Sequence, residues 1–251
     1  MFKLPEGFDV ESKNRSLEEA PPEEVLRWAI EFFGAQLCMS TSFQLGGMVL
    51  LDMLSKLQRE LPKPERVPVL FIDTGFHFPE TLEFAKQVRE RYDLNFITLE
   101  PVIEREVFKQ IYGDDQLYFR NPTECCRINK VEPMERALAG YVAQVAALRR
   151  DTSPDRANIP ILEKRTDGVF KLYPLARMTR DELKKYLMTH DVPKHPLHDR
   201  GYKSIGCFPE CCTQPVGEHA PERAGRWTGT GKSECGLHLV GKQRQAQDFS
   251  I

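Results

Sequence analysis

The chain has 251 residues, enough for a buried core in one large domain or two small ones. Hydrophobic residues make up 41% and charged residues 29%, the balance of an ordinary globular protein. A formal net charge of −2 argues against a general nucleic-acid or membrane surface, and no apolar run reaches the ~20 residues of a spanning helix.

The first residues, Met1 to Glu6, lack the apolar core of a signal peptide, so a cytoplasmic setting with reduced thiols is expected. Seven cysteines in that setting point to metal or redox chemistry rather than a disulfide framework.

Residues 1–20 are polar and read as an irregular lead-in. Pro21-Pro22-Glu23-Glu24 opens a helix, with Val25, Trp28, Ala29, Phe32 and Phe33 at helical spacing and Gly34 as its stop. Gln36 to Met39 is a short buried strand in which Cys38 is a small core residue. The hydroxyl- and glycine-rich stretch from Ser40 to Gly47 then leads into an apolar helix from Met48 to Leu54. Strand, such a loop and a helix start together form a phosphate-binding arrangement, because backbone N–H groups there point at an anion. A plain helix cap has similar composition.

Val67 to Ile72 is a second strand, followed at once by Asp73-Thr74-Gly75. Polar residues beyond the carboxyl end of a parallel strand are where open α/β sheets hold ligands, although Asp73 would also suit a simple turn. A helix from Glu80 to Tyr92, a strand from Asn95 to Leu99 and a helix from Val102 to Tyr112 continue the alternation. It predicts a parallel sheet with helices on both faces. Cys125-Cys126 precedes a helix over 131–139, and Tyr141 to Ala147 is a strand running into Arg149-Arg150. Val169 to Pro174 is extended, and Thr179 caps a helix to Thr189. The α/β body thus covers 21–200, and 201–251 forms a cysteine loop and a C-terminal arm.

In that arm Lys232 to His238 places Cys235 between Glu234 and Gly236. Gly225, Gly229, Gly231 and Gly236 loosen the backbone, while Arg223, Arg226 and Lys232 supply cations that favour the nucleophilic thiolate. The stretch reads as a mobile arm with one reactive thiol; a frayed tail with an idle cysteine is the plainer alternative. The remaining five cysteines fall in two groups, Cys125-Cys126 and Cys207 with Cys211-Cys212. Five thiols in a reducing compartment suggest structural zinc or an iron–sulfur cluster. Base rates favour zinc, but adjacent cysteines fit the usual zinc patterns poorly.

From Trp28 to His238 the sequence resembles the assimilatory sulfonucleotide reductases, which reduce adenylyl sulfate (APS) or its 3′-phosphorylated form (PAPS) to sulfite. The pieces that carry the resemblance are Ser40 to Gly47, Asp73-Thr74-Gly75, Cys125-Cys126 with Lys130, and Arg149 to Pro154. Pro196 to Tyr202, Ser204 to Cys207, Arg223 to Trp227 and Glu234 to His238 complete them. The resemblance implies an adenine-nucleotide hydrolase-like α/β domain over 21–200 and a catalytic arm over 201–251. It implies Cys235 as the nucleophile that takes the sulfonyl group, with thioredoxin or a similar thiol donor releasing sulfite. Matching positions make Ser40, Thr41 and Ser42 receivers of the phosphosulfate, and Asp73, Thr74 and Gly75 neighbours of the nucleotide. Lys130, Arg149 or Arg150, Arg223, Arg226 and His238 match the anion-binding positions; His77, His195 and His198 are weaker candidates.

In the APS-reducing members a [4Fe-4S] cluster is held by a Cys-Cys pair and a later Cys-x-x-Cys. Cys125 and Cys126 fit the pair, and Cys207 with either Cys211 or Cys212 would complete the set. The later spacing departs from the pattern; Thr213, aligned with the threonine that follows the last ligand, favours Cys212. APS is therefore the expected substrate and sulfate assimilation the expected role. The alternatives are a PAPS reductase, another pyrophosphate-loop enzyme, or a zinc-binding structural module.

Overall fold

The computed structural model describes residues 3–60, 66–114, 116–210 and 212–237. Helix α1 (Val10–Leu17) begins where the Asp9 carboxylate accepts from the Glu11 and Ser12 backbone N–H groups. It corrects the irregular lead-in expected for residues 1–20. Leu17 is its one buried residue, and most of its other side chains are polar. Helix α2 (Pro22–Phe33) has proline in its first turn and buries Val25, Leu26, Ala29, Ile30 and Phe33.

Strand β1 (Leu37–Thr41) leads into α3 (Leu45–Glu60), then β2 (Val69–Ile72), α4 (Pro79–Arg91) and β3 (Phe96–Leu99). Helices α5 (Arg105–Tyr112) and α6 (Leu117–Arg120) precede α7 (Pro122–Cys126). A π-helical turn over Arg127–Val131 joins α7 to α8 (Glu132–Leu138). Cys125 and Cys126 thus lie within a helix rather than ahead of one. Strands β4 (Ala143–Val145), β5 (Leu162–Lys164) and β6 (Phe170–Leu172) and helix α9 (Arg180–Thr189) follow. The Thr179 hydroxyl and Glu182 carboxylate close a capping box at the start of α9.

The six strands lie in the order β3-β2-β1-β4-β6-β5. All pairings are parallel except β5 with β6 at the edge. Period-two alternation divides the strands between two faces. Leu37, Met39, Val69, Phe71, Val145, Phe170 and Leu172 enter the large core with residues of α2, α3 and α9. Cys38, Leu70 and Ile72 turn to a smaller apolar cluster with Met134 and Leu138 of α8. In register with Cys38 on this second face stand Gln144 of β4 and Lys171 of β6. Among the described residues, no helix is long and apolar enough to cross a membrane.

After α9 the chain folds back over the carboxyl ends of the strands. Cys207 bridges to His77, Thr213 bridges to Arg226, and the Gln214 N–H donates to the Gly225 carbonyl at 2.8 Å. Glycine is required at 225, because a Cβ there would stand 2.2 Å from the Gln214 carbonyl oxygen.

His195 ties the turn over 196–200 to α4. Its Nδ1 accepts from the Leu197 N–H at 3.2 Å, and its Nε2 lies 2.9 Å from the Thr81 hydroxyl. Accepting at Nδ1 requires the neutral ring with its proton on Nε2. Burial, reinforced by the charge of His198, lowers its pKa from 6.5 to about 4. The unfolded chain therefore takes up a proton between these values that the folded protein refuses. The stabilisation is complete above pH 6.5 and is lost as the pH falls towards 4. Thermal midpoints should fall across that window, and His195→Gln should flatten the slope while lowering the midpoint at pH 7. An unchanged slope would place the acid sensitivity elsewhere.

Candidate active site

The sheet order reverses direction between β1 and β4, the topological position where open α/β sheets bind ligands. The cleft there is lined by Ser40, Thr41 and Ser42 at the end of β1 and by Ala146 to Arg149 after β4. The loop is held by its own hydroxyls. Thr41 Oγ1 accepts from the Phe43 N–H at 3.1 Å, and Ser42 Oγ accepts from Gln44 Nε2 at 3.2 Å. Phe43 takes φ +54, a costly backbone for an aromatic residue, and its fully buried ring packs on Phe71 with centroids 4.9 Å apart. Packing offsets the strain and turns the chain sharply from β1 into α3. That helix begins at Leu45, earlier than its apolar run suggests, because Gly46 and Gly47 belong to its first turn.

Thr74 lines the cleft, and its hydroxyl lies 3.5 Å from Cys207 Sγ. Asp73 and Gly75 face elsewhere. Asp73 Oδ1 accepts from the Gly75 N–H at 2.9 Å, closing a turn, and both border a separate hollow with Glu100, Arg105 and Phe108. The reading of Asp73 as a turn residue is the one its hydrogen bond favours.

The arginine pair after β4 divides. Arg149 is buried, lines the cleft, and donates to Asp151 at 2.9 Å and Glu222 at 2.8 Å. Arg150 turns away, donating to both oxygens of Glu18 and to the Ile159 carbonyl. Although burial works the other way, Arg149 and Arg180 hold Glu222 below the ordinary carboxylate range.

Cys235 reaches the cleft half-buried, carried by a docked segment. Glu234 is buried beside it and accepts from Arg156 Nε and Nη2, each at 2.8 Å. Arg223 adds contacts to Glu234 at 3.2 Å and to the Ser233 carbonyl at 2.7 Å. Burial lowers Arg223 to about 10 against the pull of Glu234. Arg226 donates to the Cys212 carbonyl at 2.9 Å and to Ser204 Oγ at 3.1 Å. Arg226, Arg223 and Lys232 all stand over the Trp227 ring, 4.4, 5.4 and 5.8 Å from its centroid. His238 lies outside the described residues.

A second, enclosed hollow adjoins the cleft. Cys125, Cys126, Cys207 and Cys212 line it, with Phe76, Tyr118, Pro122 and Pro209 as apolar walls. Cys211 lies outside the described residues, and none of the described cysteines forms a disulfide. Asn121 caps α7 through the Glu124 N–H, and Asn129 donates to the Cys125 carbonyl at 2.9 Å. Burial pushes the Cys125 thiol up to about 12 and raises Cys126. Lys130 and Cys207 border both spaces. Burial alone would depress Lys130, yet Cys207, Cys126 and Cys235 hold it above its ordinary value.

The arrangement can receive an anion on the loop after β1 and bring a thiol to it among Lys130, Arg149, Arg223 and Arg226. Of the three weaker histidine candidates, His77 and His198 line the cleft, whereas His195 serves the turn described above. Sequence reasoning missed Arg156, Glu222, Lys203 and Gln144, which all line the cleft. Arg156 follows the Arg149 to Pro154 stretch by two residues, a signal that was available. Its pairing with Glu234 spans 78 positions and has no local trace.

Over residues 36–215 the chain matches the phosphoadenosine phosphosulfate reductase domain. It is 41% identical over 232 residues to the adenosine 5′-phosphosulfate reductase of Halalkalibacterium halodurans, covering 92% of this chain and 96% of that protein. The phosphoadenosine 5′-phosphosulfate reductase of Gloeobacter violaceus is 42% identical over 226 residues, covering 89% and 91%. The crystal structure of phosphoadenylyl-sulfate reductase from Candida auris in complex with phosphate aligns with a TM-score of 0.69 at 33% identity, covering 82% of this chain and 97% of that one. The loop after β1, the cysteine hollow and the cleft before Cys235 therefore belong to a member of the phosphoadenosine phosphosulfate reductase domain family.

Proposed function

We propose that the chain reduces adenylyl sulfate to sulfite and AMP in a cytoplasmic setting, drawing electrons from thioredoxin or a similar dithiol donor. The observation that carries this reading is the half-buried Cys235 thiol in the same cleft as the loop after β1 and the cations Lys130, Arg223 and Arg226.

In this reading the nucleotide lies at the ends of β1 and β4, with its phosphosulfate against Ser40, Thr41 and Ser42 and beside Thr74. The Cys235 thiolate attacks the sulfate sulfur, the bond from sulfur to the bridging phosphate oxygen breaks, and AMP departs. The product is a Cys235 S-sulfonate. A donor thiolate then attacks Cys235 Sγ and releases sulfite, so that sulfur falls from the sulfate to the sulfite oxidation state. The donor's second thiol resolves the mixed disulfide and restores the Cys235 thiol. An anionic nucleophile meets an anionic substrate here, so cations must screen the approach and take up charge on the leaving phosphate. Lys130, Arg149, Arg223 and Arg226 are suited to that task. Asp73, Gly75 and Arg150 are assigned no part, since their side chains or carbonyls are engaged outside the cleft.

We read the cysteine hollow as the seat of a [4Fe-4S] cluster. Four thiols line one apolar space. A single tetrahedral zinc ion would need sulfurs about 3.8 Å apart, given Zn–S bonds of about 2.3 Å. Adjacent cysteines such as Cys125-Cys126 suit the usual zinc patterns poorly, which favours the cluster. Cys125, Cys126, Cys207 and Cys212 would hold it. Bound there, the cluster would carry the thiolates as metal ligands and tie the 125–126 helix to the 207–212 loop. This ligand set favours adenylyl sulfate over its 3′-phosphorylated form; the relatives carry both names and do not decide between them.

Cys235→Ser should abolish sulfite release while the affinity for AMP stays within about twofold of native. Turnover above a trace would remove Cys235 from the nucleophile's role. Anaerobically purified protein should contain iron and sulfide at about four atoms each per chain. Cys212→Ser should lose most of that iron, whereas Cys211→Ser should keep it. Stoichiometric zinc without sulfide would overturn the cluster and return the 3′-phosphorylated substrate to first place, which parallel assays with both nucleotides would decide.

A further inference from the structure

Lys171 sits on β6, a strand inside the sheet between β4 and β5, with only 3% of its surface exposed. Sheet interiors seldom bury a lysine without a partner. Its neighbours in register are Gln144 on β4 and Glu163 on β5. The Glu163 carboxylate accepts instead from the Tyr173 hydroxyl at 2.7 Å. Lys171 Nζ donates to the backbone carbonyl of Leu237 at 2.8 Å. The acceptor thus lies on the arm, two residues beyond Cys235, and not in the sheet to which the lysine belongs.

The other end of the same short segment is fixed by different means. Glu234, one residue before Cys235, is clamped by Arg156 and Arg223. Between the anchors Gly236 takes φ +88, which bends the backbone back towards the sheet. The Leu237 side chain then packs on the cluster of Cys38, Leu70, Ile72, Met134 and Leu138. Cys235 is therefore suspended between a carboxylate clamp on one side and a lysine contact on the other. A segment fixed at one end can swing, whereas fixing both ends defines where its thiol stands.

We infer that Lys171 is a positioning residue that latches the Leu237 carbonyl and so holds the Cys235 thiol at the mouth of the nucleotide cleft. The inference rests on the proposed role of Cys235 as nucleophile. Lys171 does not line the cleft and touches no reacting atom in this reading. Its surroundings suit a latch. Burial, with Arg165, lowers Lys171 to about 8, while Glu163, Asp167 and Cys235 pull the other way. With so little water at hand, a direct acceptor such as the Leu237 carbonyl is valuable to the amine, and the arm supplies it.

The test compares native protein with Lys171→Met, which keeps the length of the side chain and removes the donor, and with Lys171→Arg, which keeps a donor. Should Lys171→Met not fold by circular dichroism, Lys171→Leu takes its place. The first readout needs no catalysis: limited trypsin cleavage after Lys232, followed by mass spectrometry. Cleavage should be at least fivefold faster in Lys171→Met than in native protein, with Lys171→Arg in between. The second readout is single-turnover formation of the Cys235 sulfonate from adenylyl sulfate. It should slow tenfold or more in Lys171→Met, while AMP affinity stays within twofold. Equal cleavage rates in native and Lys171→Met protein would overturn the latch. So would AMP affinity and sulfonation falling in step, which would indicate a collapsed cleft. If native protein never acquires the sulfonate, the reading of Cys235 fails, and the cleavage comparison still decides whether Lys171 holds the arm.

Discussion

Glu234 is a buried carboxylate, and such a group is tolerated only with its charge and both oxygens met. Arg156 meets both oxygens and Arg223 adds a third contact. Breaking a buried pair of this kind costs about 3–5 kcal/mol, mostly because the surviving charge is stranded. The arm therefore does not rest on the body through apolar contact alone. Its docking depends on two arginines that come from different places, one from the loops after β4 and one from the fold-back after α9. Position of the arm, integrity of the fold-back and charge at the cleft are consequently one problem for the protein.

The same economy runs through the other cations. Arg149 is held by Asp151 and Glu222, and Glu222 also meets Arg180 at 2.9 Å. Arg226 is wired to the Cys212 carbonyl and Ser204, and a Cβ on Gly206 would collide with its guanidinium at 2.3 Å. These side chains are oriented before any ligand arrives. A pre-oriented cation stabilises developing charge without a reorganisation cost at the moment of reaction, which is where electrostatic catalysis gains most. The price is rigidity: each arginine has structural partners, so its removal is expected to disturb geometry as well as charge.

The fold was legible wherever a pattern repeated. The alternation of β1, α3, β2, α4 and β3 follows from buried strands joined by amphipathic helices, and proline or threonine marked where α2 and α9 begin. Helix α1 escaped because it is short and mostly polar, with one buried leucine, although Asp9 announced its cap. Strand β5 escaped because Leu162-Glu163-Lys164 is a half-polar edge segment whose identity comes from pairing with β6. At the site, the motifs matching the family named Ser40 to Ser42, Lys130, Arg149, Arg223, Arg226 and Cys235, and the fold brings these residues to one cleft. They could not separate Arg149 from Arg150, because neighbours in sequence carry the same charge and only the folded chain turns one inward. Nor could they separate Thr74 from Asp73 and Gly75, since a strand end sends successive residues to opposite sides.

The two hollows share a wall, and this gives the cysteines a bearing on the cleft beyond their own packing. Lys130 and Cys207 face both spaces, and the Thr74 hydroxyl meets Cys207 Sγ from the cleft side. Lys130 lies on the π-helical turn that directly follows Cys126, so whatever fixes the cysteine pair also fixes the lysine. Its charge is felt by Cys125, Cys126 and His77 alike. An ammonium group in such company is a point of exchange between the thiols behind it and any anion in front of it. Negative charge in the cysteine hollow favours the protonated Lys130, and in the proposed reaction that charge would lower the cost of bringing a sulfonated phosphate towards Cys235. The π turn, a helical irregularity often found at functional sites, is thus the element that places Lys130 between the cysteine hollow and the cleft.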